Sequence, residues 1–148
     1  MTTWSGVLLS VHMAATSAMV GLIWFVQVVH YPLFDAVGPA DFVAYEVAHR
    51  RRTSWVVGPL MGIEAVAALV LVAAPGRLGT AIPFAGLALL AVIHASTVSL
   101  QVPRHTDLAA RYDPAVTRRL VATNWIRTIG WSGRAILAVA MIMVAVPS

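Results

Sequence analysis

The chain has no cysteine and no lysine, and its 148 residues carry only ten basic and six acidic side chains. Without cysteine, disulfides, thiolate metal sites and thiol redox chemistry are all excluded. Charged residues make up 11% of the sequence against 59% hydrophobic, and mean hydropathy is +0.82, too apolar for an ordinary soluble domain. The net charge of +4 comes entirely from arginine. On a soluble domain that balance would raise nucleic acid as a partner; in so apolar a chain its placement reports topology, and no nucleic-acid partner is expected. The first apolar stretch has no basic segment before it and no small-residue cleavage site after it, so it should be retained as a helix. Met13, Met19, Met61, Met141 and Met143 are scattered rather than paired, which disfavours a copper path.

What is present is a set of long apolar runs. About 20 mainly apolar residues cross a hydrocarbon core of about 30 Å, and four stretches qualify: residues 7–29, 56–74, 82–100 and 125–146. The expected fold is all-α, a polytopic membrane four-helix bundle forming a single domain over residues 1–148. Alternating the spans puts Arg50, Arg51, Arg52, Arg104, Arg111, Arg118, Arg119 and Arg127 on one side and Arg77 on the other. The positive-inside rule makes the arginine-rich side cytoplasmic. The protein should therefore be integral to a bacterial-type cytoplasmic membrane with both termini outside, and Trp4, Trp55 and Trp125 fit interfacial anchors.

Turn residues divide the chain. Ala74-Pro75-Gly76-Arg77-Leu78-Gly79 is a short outer connection, so the second and third helices should be antiparallel neighbours. On the inner side Pro32 and Gly38-Pro39 break the first helix, and Pro39 can open a new one. From residue 40 to 55, Phe42, Tyr45, Glu46, His49 and Arg52 recur at spacings of three and four, predicting a short interfacial cytoplasmic helix between helices 1 and 2. Gly58-Pro59 should kink the entry to the second span. Asp113-Pro114 reads as N-cap and first turn of a helix reaching Val146, about 50 Å long. Gln27-Val28-Val29-His30 also echoes Gln101-Val102-Pro103-Arg104-His105, and Ser54-Trp55 echoes Asn124-Trp125, as two parallel hairpin repeats would. Gly130 and Gly133, like Gly58 and Gly62, have the spacing of close helix packing.

The residues capable of chemistry collect at the cytoplasmic end. Ionisable groups near hydrocarbon are costly, so their convergence marks a functional site. Glu46 and His49 at i,i+3 point a carboxylate and an imidazole the same way, the ligand arrangement of bundle metal sites. His30 and His105 fall at the same depth, so His30, Glu46, His49 and His105 are candidate ligands of a divalent transition metal, zinc, iron or manganese. Separate interfacial histidines on a solvated rim account for the same pattern without metal. On the last helix Asn124, Arg127, Trp131 and Arg134 share one stripe. Arg127 can clamp a substrate anion or meet lipid headgroups. Deeper, Glu64 and Arg134 with His94 nearby predict a buried polar clasp, or a place for substrate or protons. His12 reads as a hydrogen-bonding packing residue.

With four helices, the stretch from Gln101-Val102-Pro103-Arg104-His105 through Asp113, and Asn124-Trp125-Ile126-Arg127-Thr128 opening the last span, the chain resembles the anthrone oxygenase-like family of small bacterial membrane proteins. That resemblance implies oxidation of a hydrophobic aromatic compound by dioxygen, with histidines and a tryptophan functional, and with Arg118, Asn124 and Arg127 matching the Asn- or Arg-rich start of the family's fourth helix, which follows a polar stretch. It implies no metal need.

The expected function is thus a membrane-embedded oxidoreductase or oxygenase taking a small hydrophobic substrate from the lipid bilayer. His30, Glu46, His49, His105 and Arg127 are the candidate catalytic residues. Gln27, Tyr31, Gln101, Asn124, Trp125, Trp131 and Arg134 are candidate substrate contacts, with Arg127 and Asn124 facing a developing oxyanion. A transporter or channel running through Glu64, His94 and Arg134, a non-catalytic accessory subunit, and a homo-oligomer are the alternatives carried forward. Beyond Thr16 and His12 the first helix offers few polar groups toward the outer surface, which favours a closed pocket.

Overall fold

Residues 3–146 are described here from a computed structural model, with side chains from residue 5 onward; the anchoring expected of Trp4 lies outside the described side chains. Among the described residues there is no strand. The elements are α1 (Thr3–Phe25), a π-helical turn (Val26–His30), a 3-10 turn (Pro32–Ala36), α2 (Pro39–Ala73), a 3-10 turn (Gly76–Leu78), α3 (Ala81–Ser96), a second π-helical turn (Thr97–Gln101), α4 (Val102–Ala110) and α5 (Pro114–Ala145). Four of the resulting helical runs, Ser5–Ala36, Pro39–Ala73, Ala81–Ala110 and Pro114–Ala145, are long and apolar enough to cross a membrane.

The separate interfacial helix is not found. Pro39 does open a helix, but that helix runs without interruption through Pro59 to Ala73. Between residues 40 and 57 there is no glycine or proline to stop it, and Pro59 removes only the one backbone bond its missing N–H would have made. A helix of 35 residues is about 50 Å long, so α2 extends past the hydrocarbon core and carries Glu46 and His49 on its extension. The same extension is built by α4 and by the start of α5. Asp113 caps α5 as expected: its Oδ1 accepts from Ala115 N at 2.8 Å and Val116 N at 3.4 Å. Those two bonds favour the carboxylate and hold its pKa below the ordinary aspartate value. At the other end Gly76 and Gly79 take φ of 53° and 64°, a left-handed conformation that fits the short outer turn.

Both π turns fall where the sequence echoes itself, at corresponding ends of the first and third helices. A π turn inserts one extra residue into the helical turn and changes the face on which later side chains lie. Gln27 and Gln101 are both buried and both turned onto α5. Gln27 donates to the Val121 carbonyl at 3.3 Å and accepts from Asn124 at 2.8 Å, while Gln101 donates to Thr123 Oγ1 at 3.1 Å.

Helix α5 packs against α1 and α3, and α2 packs against the same two, so α2 and α5 oppose each other across the bundle. Closest approach is at Gly130, where an added Cβ would lie 2.8 Å from Ile93 Cγ1, and at Gly133, 3.2 Å from Leu89. Gly58 and Gly62 have no such neighbour and both are exposed, so helix packing does not explain them. The outer surface is apolar, with Trp55, Ile129, Ile136 and Met143 all more than 60% exposed, while His12, Gln27, Glu64, Asn124 and Arg134 are buried. This inversion suits a lipid environment.

The centre of the bundle holds the expected clasp, with altered membership. Glu64 accepts from Thr16 Oγ1 at 2.8 Å, from Trp131 Nε1 at 2.7 Å and from Arg134 Nε at 3.3 Å. Arg134 also donates to the Gly86 carbonyl at 2.5 Å and meets His12 Nε2 at 3.3 Å. His12 therefore belongs to the clasp and His94 does not: its Nδ1 pairs with the Leu90 carbonyl of its own helix at 2.9 Å. Trp131 and Arg134, expected among the substrate contacts, are consumed here, because the carboxylate reaching across from α2 offers a better partner than any ligand in hydrocarbon.

Candidate active site and metal-binding cluster

The extensions of α2 and α4 and the turn after the first π helix converge on one ionisable group. Glu46, fully buried, accepts from His105 Nδ1 at 2.5 Å. The opposite ring nitrogen, His105 Nε2, lies 3.0 Å from the Tyr31 hydroxyl. With Nδ1 donating to the carboxylate, Nε2 is left as an acceptor, so Glu46, His105 and Tyr31 form a directed chain of proton donors and acceptors. Arg127, on α5, brings its guanidinium to the Tyr31 hydroxyl and stacks over the Trp131 ring at 5.3 Å. Through Trp131 this arginine is braced by the clasp, since the same indole donates to Glu64.

A second chain lies beside the first. His30 Nε2 is 3.0 Å from His49 Nδ1, and Thr53 Oγ1 is 3.2 Å from that same atom. Rings enclose the pair: Phe34 meets His30 and His49 edge-on at 5.2 and 5.6 Å, and Tyr45 stacks on His49 at 6.3 Å. Phe34, Phe42, Tyr31, Leu108 and Leu120 form the hydrophobic cluster underneath, which fixes the imidazoles against rigid neighbours.

Glu46, His49 and His105 can hold a metal ion: they offer ligand atoms that all lie within 4.8 Å of one another. His30, expected as a fourth ligand, is not in that group. It sits one imidazole away and orients His49. The carboxylate keeps a ligand lone pair in reserve, because Glu46 Oε2 is buried without a hydrogen-bond partner. Glu46, His49 and His105 would hold such an ion through a carboxylate oxygen and two ring nitrogens, exchanging the hydrogen bond between His105 and Glu46 for it.

Beside the first chain is a cavity of about 560 Å³, walled by Leu22, Ile23 and Val26 of the first helix, Val57 of α2 and Val102 of α4. Tyr31, His49, Gln101, His105 and Arg127 supply its polar surface. Two of the buried atoms there, Gln101 Oε1 and Arg127 Nε, have no partner, as expected of groups that wait for a ligand. Of the expected substrate contacts, Tyr31 and Gln101 line the cavity. Gln27 and Asn124 do not, being bonded to each other. Trp125 is on the outer surface, edge-on to Trp24 at 5.7 Å, one position along the helix from the buried Asn124 and hence about 100° away from it.

Sequence reasoning missed part of the α2 wall. Val47, Arg50, Arg51, Ser54, Val57 and Gly58 all line the cavity at spacings of three and four, a stripe adjacent to that of Glu46 and His49. That period was legible. The contribution of Phe34 was not, because it comes from a turn with no period to read. No family model, no curated protein and no solved structure matches the chain.

Proposed function

We propose that the protein is a membrane-embedded oxidoreductase of the oxygenase type, acting on a small hydrophobic substrate held in the 560 Å³ cavity. The observation that carries this reading is the Glu46–His105–Tyr31 chain, which ends at the cavity wall beside Arg127. A chain of this form moves protons: His105 takes the Tyr31 proton while Glu46 stabilises the imidazolium, and the tyrosine oxygen takes a proton from the substrate. Arg127 compensates the negative charge that develops on the substrate oxygen. For an activated methylene flanked by aromatic rings, loss of the proton leaves a carbanion that dioxygen oxidises. The overall change balances, since a methylene and dioxygen give a ketone and water: one oxygen atom enters the product, and the other leaves with the two methylene hydrogens. Substitution of Tyr31, developed in the Discussion, tests this.

The second reading adds a metal, favoured by the mutual reach of Glu46, His49 and His105 and by the unpartnered Glu46 Oε2. Bound zinc, iron or manganese would supply Lewis acidity. His49→Ala is then expected to remove most of the metal found by elemental analysis of purified protein while the helical spectrum is unchanged. Metal content that persists after Glu46, His49 and His105 are all replaced would sink the metal site. Transport finds less support, because the clasp between the two ends of the bundle has its donors and acceptors occupied by one another.

We place the site on the cytoplasmic side, since eight of the ten arginines fall on that end. A reporter active only in the cytoplasm is expected to be silent when fused after Ser148. Activity there would reverse the orientation.

A further inference from the structure

The charged residues lining the cavity beside Tyr31 and His105 are three arginines, Arg50, Arg51 and Arg127, with no carboxylate among the described lining residues. Arg50 and Arg51 have no acidic partner among the described residues, and neither is drawn away by another side chain. They stand one α2 turn from Val47 and Ser54, on the stripe that continues into Val57. The cavity therefore joins an apolar wall to an uncompensated positive one. A purely hydrocarbon substrate would gain nothing from guanidinium groups on its cavity wall, whereas an anionic group would form charge-assisted, bidentate hydrogen bonds with them.

We infer that the substrate is an amphiphile, an apolar body carrying an anionic group that is held by Arg50 and Arg51 while the body lies toward Tyr31 and His105. This inference rests on the enzymatic reading of the same cavity and narrows its substrate class. Arg127 is kept for the reacting end, where it stacks on Trp131 beside the Tyr31 hydroxyl. The anionic group belongs either to a free acid or to a bilayer lipid; the recognition chemistry is the same.

Binding, measured apart from turnover, tests it. Purified protein in phosphatidylcholine nanodiscs is titrated calorimetrically with dodecanoate and with dodecanol, which share a tail and differ in charge. Dodecanoate is expected to bind at least about tenfold more tightly, the equivalent of one charge-assisted hydrogen bond, with an advantage that shrinks as salt is raised. Replacing Arg50 and Arg51 together by glutamine should abolish the difference and leave dodecanol binding unchanged, which also shows that the cavity is intact. Arg118 and Arg119 lie exposed at the same end of the bundle and do not line the cavity, so their double glutamine variant should retain the preference. Equal binding of the two probes, or a preference lost equally in both double variants, overturns the inference, the latter because it marks a general surface potential. Displacement of dodecanoate by added phosphatidylglycerol identifies a lipid as the source of the anionic group, and failure to displace it identifies a free acid; both sustain anion recognition. Equal binding of the two probes by the wild-type protein, with Tyr31-dependent oxidation intact, would remove this inference and leave the proposed activity standing.

Discussion

Arg134→Ala is expected to lower the stability of the bundle by about 3 to 5 kcal/mol, the cost of stranding one member of a buried ion pair. Glu64 would remain in the bundle core with only Thr16 and Trp131 to solvate it, and neither compensates its charge. Glu64→Ala should cost a similar amount for the mirror reason, leaving a guanidinium facing Gly86 and His12. Replacing both residues together removes the charges as well as the bond, so the double variant should lose far less than the two single losses added. Thermal unfolding in detergent measures all three. Simple additivity would show that the two residues are not energetic partners, and the clasp would then be only a set of neighbours.

Tyr31→Phe is expected to reduce turnover by about 10²- to 10⁴-fold, the range for loss of a positioned acid or base, with little change in folding because the ring still fills its place against Phe34 and Phe42. His105→Ala should match it. Combining the two should cost little more than either, since residues that act as one unit are not additive. His30→Ala, one imidazole away from the chain, should have a smaller effect, and Asn124→Ala should affect stability through Gln27 rather than turnover. Steady-state kinetics on the purified variants, read beside their melting temperatures, separates the two kinds of effect. A Tyr31→Phe protein with undiminished turnover would exclude the tyrosine from the chemistry.

The spans, the Asp113 cap, the outer turn and the shared face of Glu46 and His49 were all legible, because each depends on local period or on residues adjacent in sequence. Convergence of His105 on Glu46 was legible as well, from common depth alone. One failure originates in the π turns. Gln27 and His30 at i,i+3 should line a common wall on a regular helix, yet inside the π turn Gln27 faces α5 while His30 reaches His49 on α2. The stripe Asn124, Arg127, Trp131 and Arg134 does face the bundle, and all four residues are buried. A stripe, however, says nothing of what waits opposite it. Asn124 is met by Gln27, Trp131 and Arg134 by Glu64, and only Arg127 by the cavity, and those partners are supplied by other helices. The continuity of α2 was hidden for a different reason: Gly58-Pro59 reads locally as a kink between an interfacial helix and a span, whereas one helix crosses it at the loss of one hydrogen bond.

The most direct test is dioxygen consumption by the purified protein with a carboxylate-bearing anthrone as substrate, followed with an oxygen electrode under conditions where uncatalysed oxidation is subtracted. The wild-type chain is expected to consume one dioxygen per ketone formed, and the Tyr31→Phe chain to fall to the background rate. Oxygen uptake that never exceeds background in the folded wild-type protein, or that persists unchanged once Tyr31 and His105 are both replaced, would contradict the Glu46–His105–Tyr31 chain as the seat of an oxygenase.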